Sequence, residues 1–514
     1  MKLGTIGIAP ARLVASAPAQ RGAVDTTALM TACRVAAEGR ARLVALWATD
    51  ERDRGRGLVL RVALRDADGL TVLEHALAET TWHCPDLTPF FPAAGRLQRA
   101  AFDLCGVAWD GADQRPWLRH AAWPADWFPL RRDAGEPPTA PAAVDDYAFV
   151  RVDGDGVHEI PVGPVHAGII EPGHFRFQVV GEKVLRLEER LGYVHKGIER
   201  RFVGQPVVGA HRLAGRVSGD STVAYAWAYA QAVEGLAGTP VPPRAAMLRA
   251  VLLERERIAN HLGDLGALGN DAGFAFGLAQ FSRLREDVLR ANAAAFGHRL
   301  LMDAVVPGGV AFDVDDDARS ALRAQHVVLA AELARLREIY DEHAGLQDRI
   351  RACGVVTTAQ ALALGLEGLA ARASGLALDL RRDAPCAPYD AMEVGVVTRR
   401  DGDVAARLAV RFDEVVESLR VCDALLAALP DGDSHVAVGT PAPFTLAVGA
   451  IEGWRGPVLV ALDCAEDGTL RHCHPHDVSW HNWPVLEHAV IGNIVPDFPL
   501  INKSFNLAYS GHDI

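Results

Sequence analysis

The sequence predicts an α+β protein: a mixed α/β domain, then a small β-region, then a large helical bundle. Three observations predict it. The chain has 514 residues, half of them hydrophobic, too many for one ordinary compact core. Residues 1 to about 135 mix helix-like and strand-like patterns, and short strands follow the linker. Long segments with apolar residues three and four apart dominate the middle.

The elements follow in chain order. "RLVALWA" and "GLVLRVALRD" are rich in Val and Leu with alternating character and predict strands. "RRDAGEPPTAPAAVDD" (131–146) has Pro, Ala and acid but no apolar period, which predicts a linker. The chain is accordingly divided into domains 1–135 and 151–514, joined by 136–150. "YAFVRVDG", "VHEIPVG" and "HFRFQVVGEKV" predict short strands. From about 186 onward "STVAYAWAYAQAVEGLA", "RAAMLRAVLLERERIANHLGDLGALG" and "ARSALRAQHVVLAAELARLREIYDEHAG" predict a helical bundle. Near 405–463, "RLAVRF" and "PVLVALD" predict a return to strands.

Composition excludes several classes. A formal net charge of −13, with no long basic run, argues against nucleic-acid binding. Nowhere do 18 apolar residues run uncharged, so no membrane span is expected. Pro10 and Arg12 interrupt the apolar start, so no signal peptide is expected. The eight cysteines are scattered without a Cys-x-x-Cys pair, which is no disulfide framework. A cytoplasmic chain is expected, reaching a membrane only through partners.

Ordered motifs go further. "GPVHAGIIEPGHFRF" (163–177), "YVHKGIER" (193–200), "ERIANHLGDLGALGNDAGFAFG" (256–277), "VPGGV" (306–310), "ARASGLALDLRRDAPCAPYD" (371–390), "GDVAARLAVRFDEVVES" (402–418) and "EGWRGP" (452–457) follow one another. In this order they resemble the large subunit of group 4 membrane-bound nickel–iron hydrogenases of formate hydrogenlyase type, and the large (49 kDa) peripheral subunit of complex I. The first domain resembles the small (30 kDa) peripheral subunit of complex I through Pro92, Arg99, Asp103, Gly106 and the run Pro129 to Asp133. Fusion of the two points to the hydrogenlyase branch.

The resemblance implies a nickel–iron centre held by four thiolates, soft ligands suited to those metals. Where the family has its first Cys-x-x-Cys, this chain has "RVSGDS", with Ser218 and Ser221 in the cysteine positions. Where it has the second, "SFNLAYSGHD" puts Ala508 and Gly511. A normal centre is therefore not expected, and no metal ligand is assigned. In complex I relatives the vacated cavity takes a quinone headgroup, using a loop His and a Tyr. His166 and His174 are the loop candidates. The tyrosine position holds Gly219, and Tyr225, about one helical turn on, is a substitute candidate. Glu171 stands where the hydrogenases place a proton-transfer glutamate; a buried carboxyl with a raised pKa suits a relay, whereas an exposed one, or one paired with Arg176, does not. Arg216 and Arg372 are further cavity-lining candidates, with a surface ion pair as the alternative for Arg372.

His472, Cys473, His474, His476, Asp477 and His481 could bind zinc by their density, but Pro475 interrupts them, and a hydrogen-bonded loop or interface is the preferred reading. His261, on an apolar helix together with Asp264, reads as a buried histidine hydrogen-bonded to a neighbour. No nucleotide loop is found, so any nicotinamide (NAD) would be handled by other subunits. The resemblance implies an oxidoreductase subunit, peripheral on the inner face of the cell membrane. It would dock an iron–sulfur small subunit and antiporter-like membrane partners, and pass electrons to quinone or another acceptor. The rival reading is a non-redox structural or coupling subunit of such a complex.

Overall fold

The structure is a computed structural model and describes residues 1–77, 82–136, 146–168 and 170–514. Most of the 131–146 segment expected to be a linker therefore lies outside the described residues. The first sheet runs, neighbour to neighbour, Ala11–Arg12, Ala19–Val24, Gly69–Leu77, Leu58–Asp66, Arg42–Asp50. Two of these are the expected "RLVALWA" and "GLVLRVALRD" strands. Helix Thr26–Glu38 begins at Asp25, whose carboxylate accepts from Ala28 N at 2.7 Å and satisfies a free helix-end donor. Helix Ala94–Cys105 packs against strand Arg42–Asp50.

A three-stranded meander follows: Val157–Val162, His174–Val180 and Lys183–Arg190. The strand expected in "YAFVRVDG" is absent. Tyr147 instead lays its ring beneath the guanidinium groups of Arg99 and Arg115 and accepts from Arg99 at 2.7 Å. Cation–π contact and side-chain hydrogen bonding fix this piece without a ladder.

The bundle comprises helices Thr222–Ala237, Pro243–Asp271, Ala275–Phe296, Asp316–Glu342 and Val404–Ala427. The last corrects the strand expected in "RLAVRF". Its apolar residues continue at helical spacing through Leu408, Phe412, Val415 and Leu419, all buried, and Asp403 caps its first turn. Six residues are too short a window to separate the two periods. No described helix is long and apolar enough to cross a membrane.

A second sheet, in the order Leu470–Asp477, Pro457–Cys464, Ala447–Glu452, Val14–Ala15, closes the fold. The "RHCHPH" stretch, expected as a hydrogen-bonded loop or interface, is an edge strand leading into helix Ser479–Ala489. Pro475 is tolerated at an edge, where a strand can lack one donor. Val14 and Ala15 pair in parallel with Ala447 and Val448, so the first domain lends a strand to the second. The two sheets also pack together, Leu13, Ala45, Trp47, Ala63 and Val72 meeting Leu446, Val448, Leu459 and Ala461. At about 25 cal/mol per Å² of buried apolar surface, such a seam strongly resists separation.

Candidate functional site

The site grows from the turn between helices His211–Ala214 and Thr222–Ala237. Ser218 and Ser221 flank a one-turn 3₁₀ segment, Gly219–Ser221, that carries Asp220. Ser218 Oγ donates to Asp220 Oδ1 at 2.7 Å. Arg455 enters from the other side. Its Nη1 donates to Asp220 Oδ1 at 2.9 Å and to Ser221 Oγ at 3.3 Å, and its Nε to Asn506 O. Burial alone would raise the Asp220 carboxyl; the Arg455 guanidinium outweighs it and holds the group at about 2. Its side chain keeps 39% exposure, so water screens part of the pairing.

The C-terminal segment forms the far wall. Tyr225, fully buried on its helix, donates to Asp477 Oδ2 at 2.7 Å. Burial and then the Asp477 carboxylate push the phenol well above its ordinary value, so it stays a donor. A Cβ on Gly511 would lie only 2.5 Å from Asp477 Oδ2 and 3.1 Å from Ala508 Cβ. Ser218 and Ser221 on one wall, and Ala508 and Gly511 on the other, thus line this region. It is occupied by an Arg455–Asp220 ion pair on one side and a Tyr225–Asp477 hydrogen bond on the other.

The other sequence candidates are distributed differently. Glu171 is exposed and accepts from Ser510 N at 3.2 Å. Its loop lies at the surface, so it is not the buried carboxyl expected of a relay. Arg176 pairs with Glu159 at 2.9 Å, not with Glu171. His166 hydrogen-bonds Gly173 O at 2.7 Å, and His174 contacts Gly163 O at 3.3 Å and receives Arg176 Nε at 3.2 Å. Both rings tie their own loop together. Arg216 points outward and pairs with Asp303 at 2.6 Å, so it does not line the site.

Arg372 is not at the surface either. It is fully buried, donating to Glu414 at 2.7 Å and Glu452 at 2.8 Å. Around it stand Asp379, Arg381, Glu254, Arg257 and His261, whose Nε2 lies 2.8 Å from Glu414. Four carboxylates face three guanidiniums here, so one proton is needed for neutrality. Burial, then the Asp379 charge, raises Glu452 to about 7, which makes it the natural holder. Arg257 ties this cluster to the outer site by donating to Glu452 O at 2.7 Å and Gly453 O at 3.2 Å, just before Trp454 and Arg455.

Asp220, Arg455 and Glu256 were not singled out from the sequence. Asp220 carried a readable signal, a carboxylate set between Ser218 and Ser221. Glu256 did not: its carboxylate accepts from Val223 N at 2.7 Å and Ala224 N at 3.3 Å, capping a helix distant in sequence. Burial raises it to about 8. Among the described residues no group of three or more His, Cys, Asp or Glu is placed to hold a metal ion.

Comparison with known proteins places this arrangement. Residues 23–139 match the family described as respiratory-chain NADH dehydrogenase, 30 Kd subunit, and residues 271–443 its 49 Kd subunit. Formate hydrogenlyase subunit 5 of Escherichia coli (strain K12) is 32% identical over 84% of this chain and 76% of its own length. A subunit of the NADH-quinone oxidoreductase of Phocaeicola vulgatus is 26% identical over 74% of this chain and 78% of its own. A chain of the archaeal membrane-bound sulfane sulfur reductase shares the fold, with TM-score 0.66 and 24% identity over 70% of this chain and 99% of that one. With its 30 kDa-type domain fused ahead of a 49 kDa-type domain, the chain belongs to the family of formate hydrogenlyase subunit 5 and the large peripheral subunits of NADH-quinone oxidoreductases.

Proposed function

We propose that the chain is the large peripheral subunit of a membrane-associated hydrogenase-like or NADH-quinone oxidoreductase-like complex, working without a nickel–iron centre of its own. The observation that carries this reading is the Arg455–Asp220 pair bound to Ser218 and Ser221, with Gly511 standing beside Ala508 and Asp477. Two neutral hydroxyls and two positions with no donor atom do not fit a four-thiolate site. A cation already stands among them. In the complex, this chain would dock a small iron–sulfur subunit and antiporter-like membrane subunits at the inner face of the cell membrane. Electrons from the cluster would pass to quinone or another two-electron acceptor beside Tyr225 and the His166–His174 loop.

A non-redox coupling role is favoured by a different observation: the polar tips of Tyr225, Arg455 and His166 all bond within the chain. One preparation separates the readings. The intact complex, purified through this chain, is assayed for metals and for reduction of a soluble quinone. Substoichiometric nickel with quinone reduction lost in Tyr225→Phe or Arg455→Gln supports the redox reading. No quinone reduction in an assembled complex supports the coupling role, and stoichiometric nickel rejects the proposal.

A further inference from the structure

The edge strand Leu470–Asp477 carries His472, His474 and His476 at alternate positions, so all three side chains leave one face. Across the ladder they stand opposite Asp463, Ala461 and Leu459, the face that packs on the first sheet. The histidines therefore lie between two sheets, in a seam otherwise lined with Trp, Ala, Val and Leu. An apolar seam has no structural use for a file of imidazoles.

The file is continuous. His474 stacks on Trp47 at 5.0 Å, with His472 at 6.4 Å and His476 at 6.0 Å between ring centres. Glu199 reaches in from helix Ile198–Phe202, its carboxylate 3.1 Å from His474 Nδ1 and 4.0 Å from His472 Nε2. His476 Nε2 lies 3.1 Å from His481 Nε2, which also lies 2.9 Å from Val44 O. A carbonyl accepts only, so His481 must carry its proton on Nε2. His476 Nε2 then accepts, and His476 holds its own proton on Nδ1. That Nδ1 is buried without a hydrogen-bond partner, as are His472 Nε2, His474 Nε2 and Glu199 Oε2. Buried polar atoms are rarely left so. A cavity of about 20 Å³ beside Glu199 and His474 has room for one water.

The file also has two ends. His472 lines a pocket of about 600 Å³ with Asp50, Arg131 and Arg471, at the finish of strand Arg42–Asp50. His481 lines one of about 430 Å³ with Arg42 and Phe90, at the start of that strand. We propose that His472, Glu199, His474, His476 and His481 form a proton-transfer row along the domain seam, joining these two pockets. Each neutral ring accepts a proton on one nitrogen and releases the one on its other nitrogen. One proton thus enters at one end as another leaves at the far end, and ring rotation resets the row; the longer steps need a bridging water. Charged groups face the row from every element packed against it. Arg61, Glu51 and Glu74 face it from the first sheet, Asp463 and Arg471 from its own, and Arg42, Arg65 and Glu367 surround His481. Burial holds His472 and His476 well below the ordinary histidine value, helped by the neighbouring rings. His512 adds to this at His476. The row stands whether or not the complex reduces quinone.

The test follows ring protons by NMR in the full chain labelled with ¹⁵N-histidine. His476 is expected as the Nδ1–H tautomer and His481 as Nε2–H, both exchanging with solvent within seconds of transfer to D₂O despite their burial. His474→Gln keeps bulk and polarity but cannot relay, and should slow exchange at His476 about tenfold or more. Glu199→Gln should act in the same direction, and serves if the first variant does not fold. Unchanged exchange in both variants, or an Nε2–H tautomer at His476, overturns the row. So does stoichiometric binding of zinc chloride that His474→Gln abolishes, which would make the file a metal site.

Discussion

Two clusters of charge lie on either side of Gly453 and Trp454, and they solve opposite problems. The inner one, around Arg372, is sealed: Arg372, Glu254, Glu414 and Glu452 are all almost wholly buried. The outer one, around Arg455, keeps Asp220 partly open to water. Inside, each guanidinium answers two carboxylates and the set is one proton short of balance. Outside, a single pair, Arg455 with Asp220, is held against Ser218 and Ser221. The difference teaches that the inner charges must be balanced among themselves away from water, whereas the outer pair is completed in part by solvent.

If that contrast is right, the largest loss comes from the inner cluster. Arg372→Met leaves Glu414 and Glu452 buried without their cation, a cost of about 3–5 kcal/mol. The expected outcome is a chain recovered mainly insoluble, or with a sharply lower thermal midpoint. Arg455→Met should cost less, about 1–3 kcal/mol, because Asp220 can rehydrate through its open side. Equal losses in thermal unfolding would erase the distinction between the clusters.

A pH series sharpens it. Glu452 is raised to about 7 in the folded chain, above its unfolded value near 4.3. The native state therefore holds the proton more tightly between those values. Its contribution is fully present below the unfolded pKa and is lost as pH rises through about 7. Asp220, held at about 2, has the reverse sign: it stabilises above its unfolded value and gives this up only as pH falls through about 2. Glu452→Gln should thus flatten the decline of stability between about pH 5 and 8, by up to ~1.4 kcal/mol per pH unit removed. Arg455→Met should leave that slope intact. Chemical denaturation at several pH values reads both.

Much of this was legible in the sequence, for uneven reasons. The helices of the bundle announced themselves because 3.6-residue periodicity persisted over 16 to 29 residues. "RLAVRF" misled because six residues fit either period, and only Asp403 and the continuation to Leu419 decide it. Ser218, Ser221, Ala508 and Gly511 were readable as letters at fixed spacing. The ion pair beside the two serines was not, since Arg455 meets Asp220 across 235 residues of chain. Burial is a property of the assembled fold, so Glu171 could not be separated from Glu256 beforehand. The first proved exposed, while the second, capping a helix, proved buried. Likewise the histidines of 472–481 were visible as a cluster, but the alternation that places three on one face was hidden behind Pro475.

The smallest expected effect is the control for all of these. Arg216 sits just ahead of the Ser218–Ser221 turn and was a candidate for the same cavity. It turns outward instead, its side chain 44% exposed, and forks onto Asp303 with both nitrogens, at 2.6 and 2.8 Å. A pair this exposed gains little over its hydration and is screened by salt. Arg216→Met should cost about 0–1 kcal/mol, vanish further at high ionic strength and leave every pH slope above unchanged. A loss near that of Arg455→Met would mean that Arg216 turns inward in the assembled complex. The boundary between the outer cluster and the surface would then lie about one helical turn farther out.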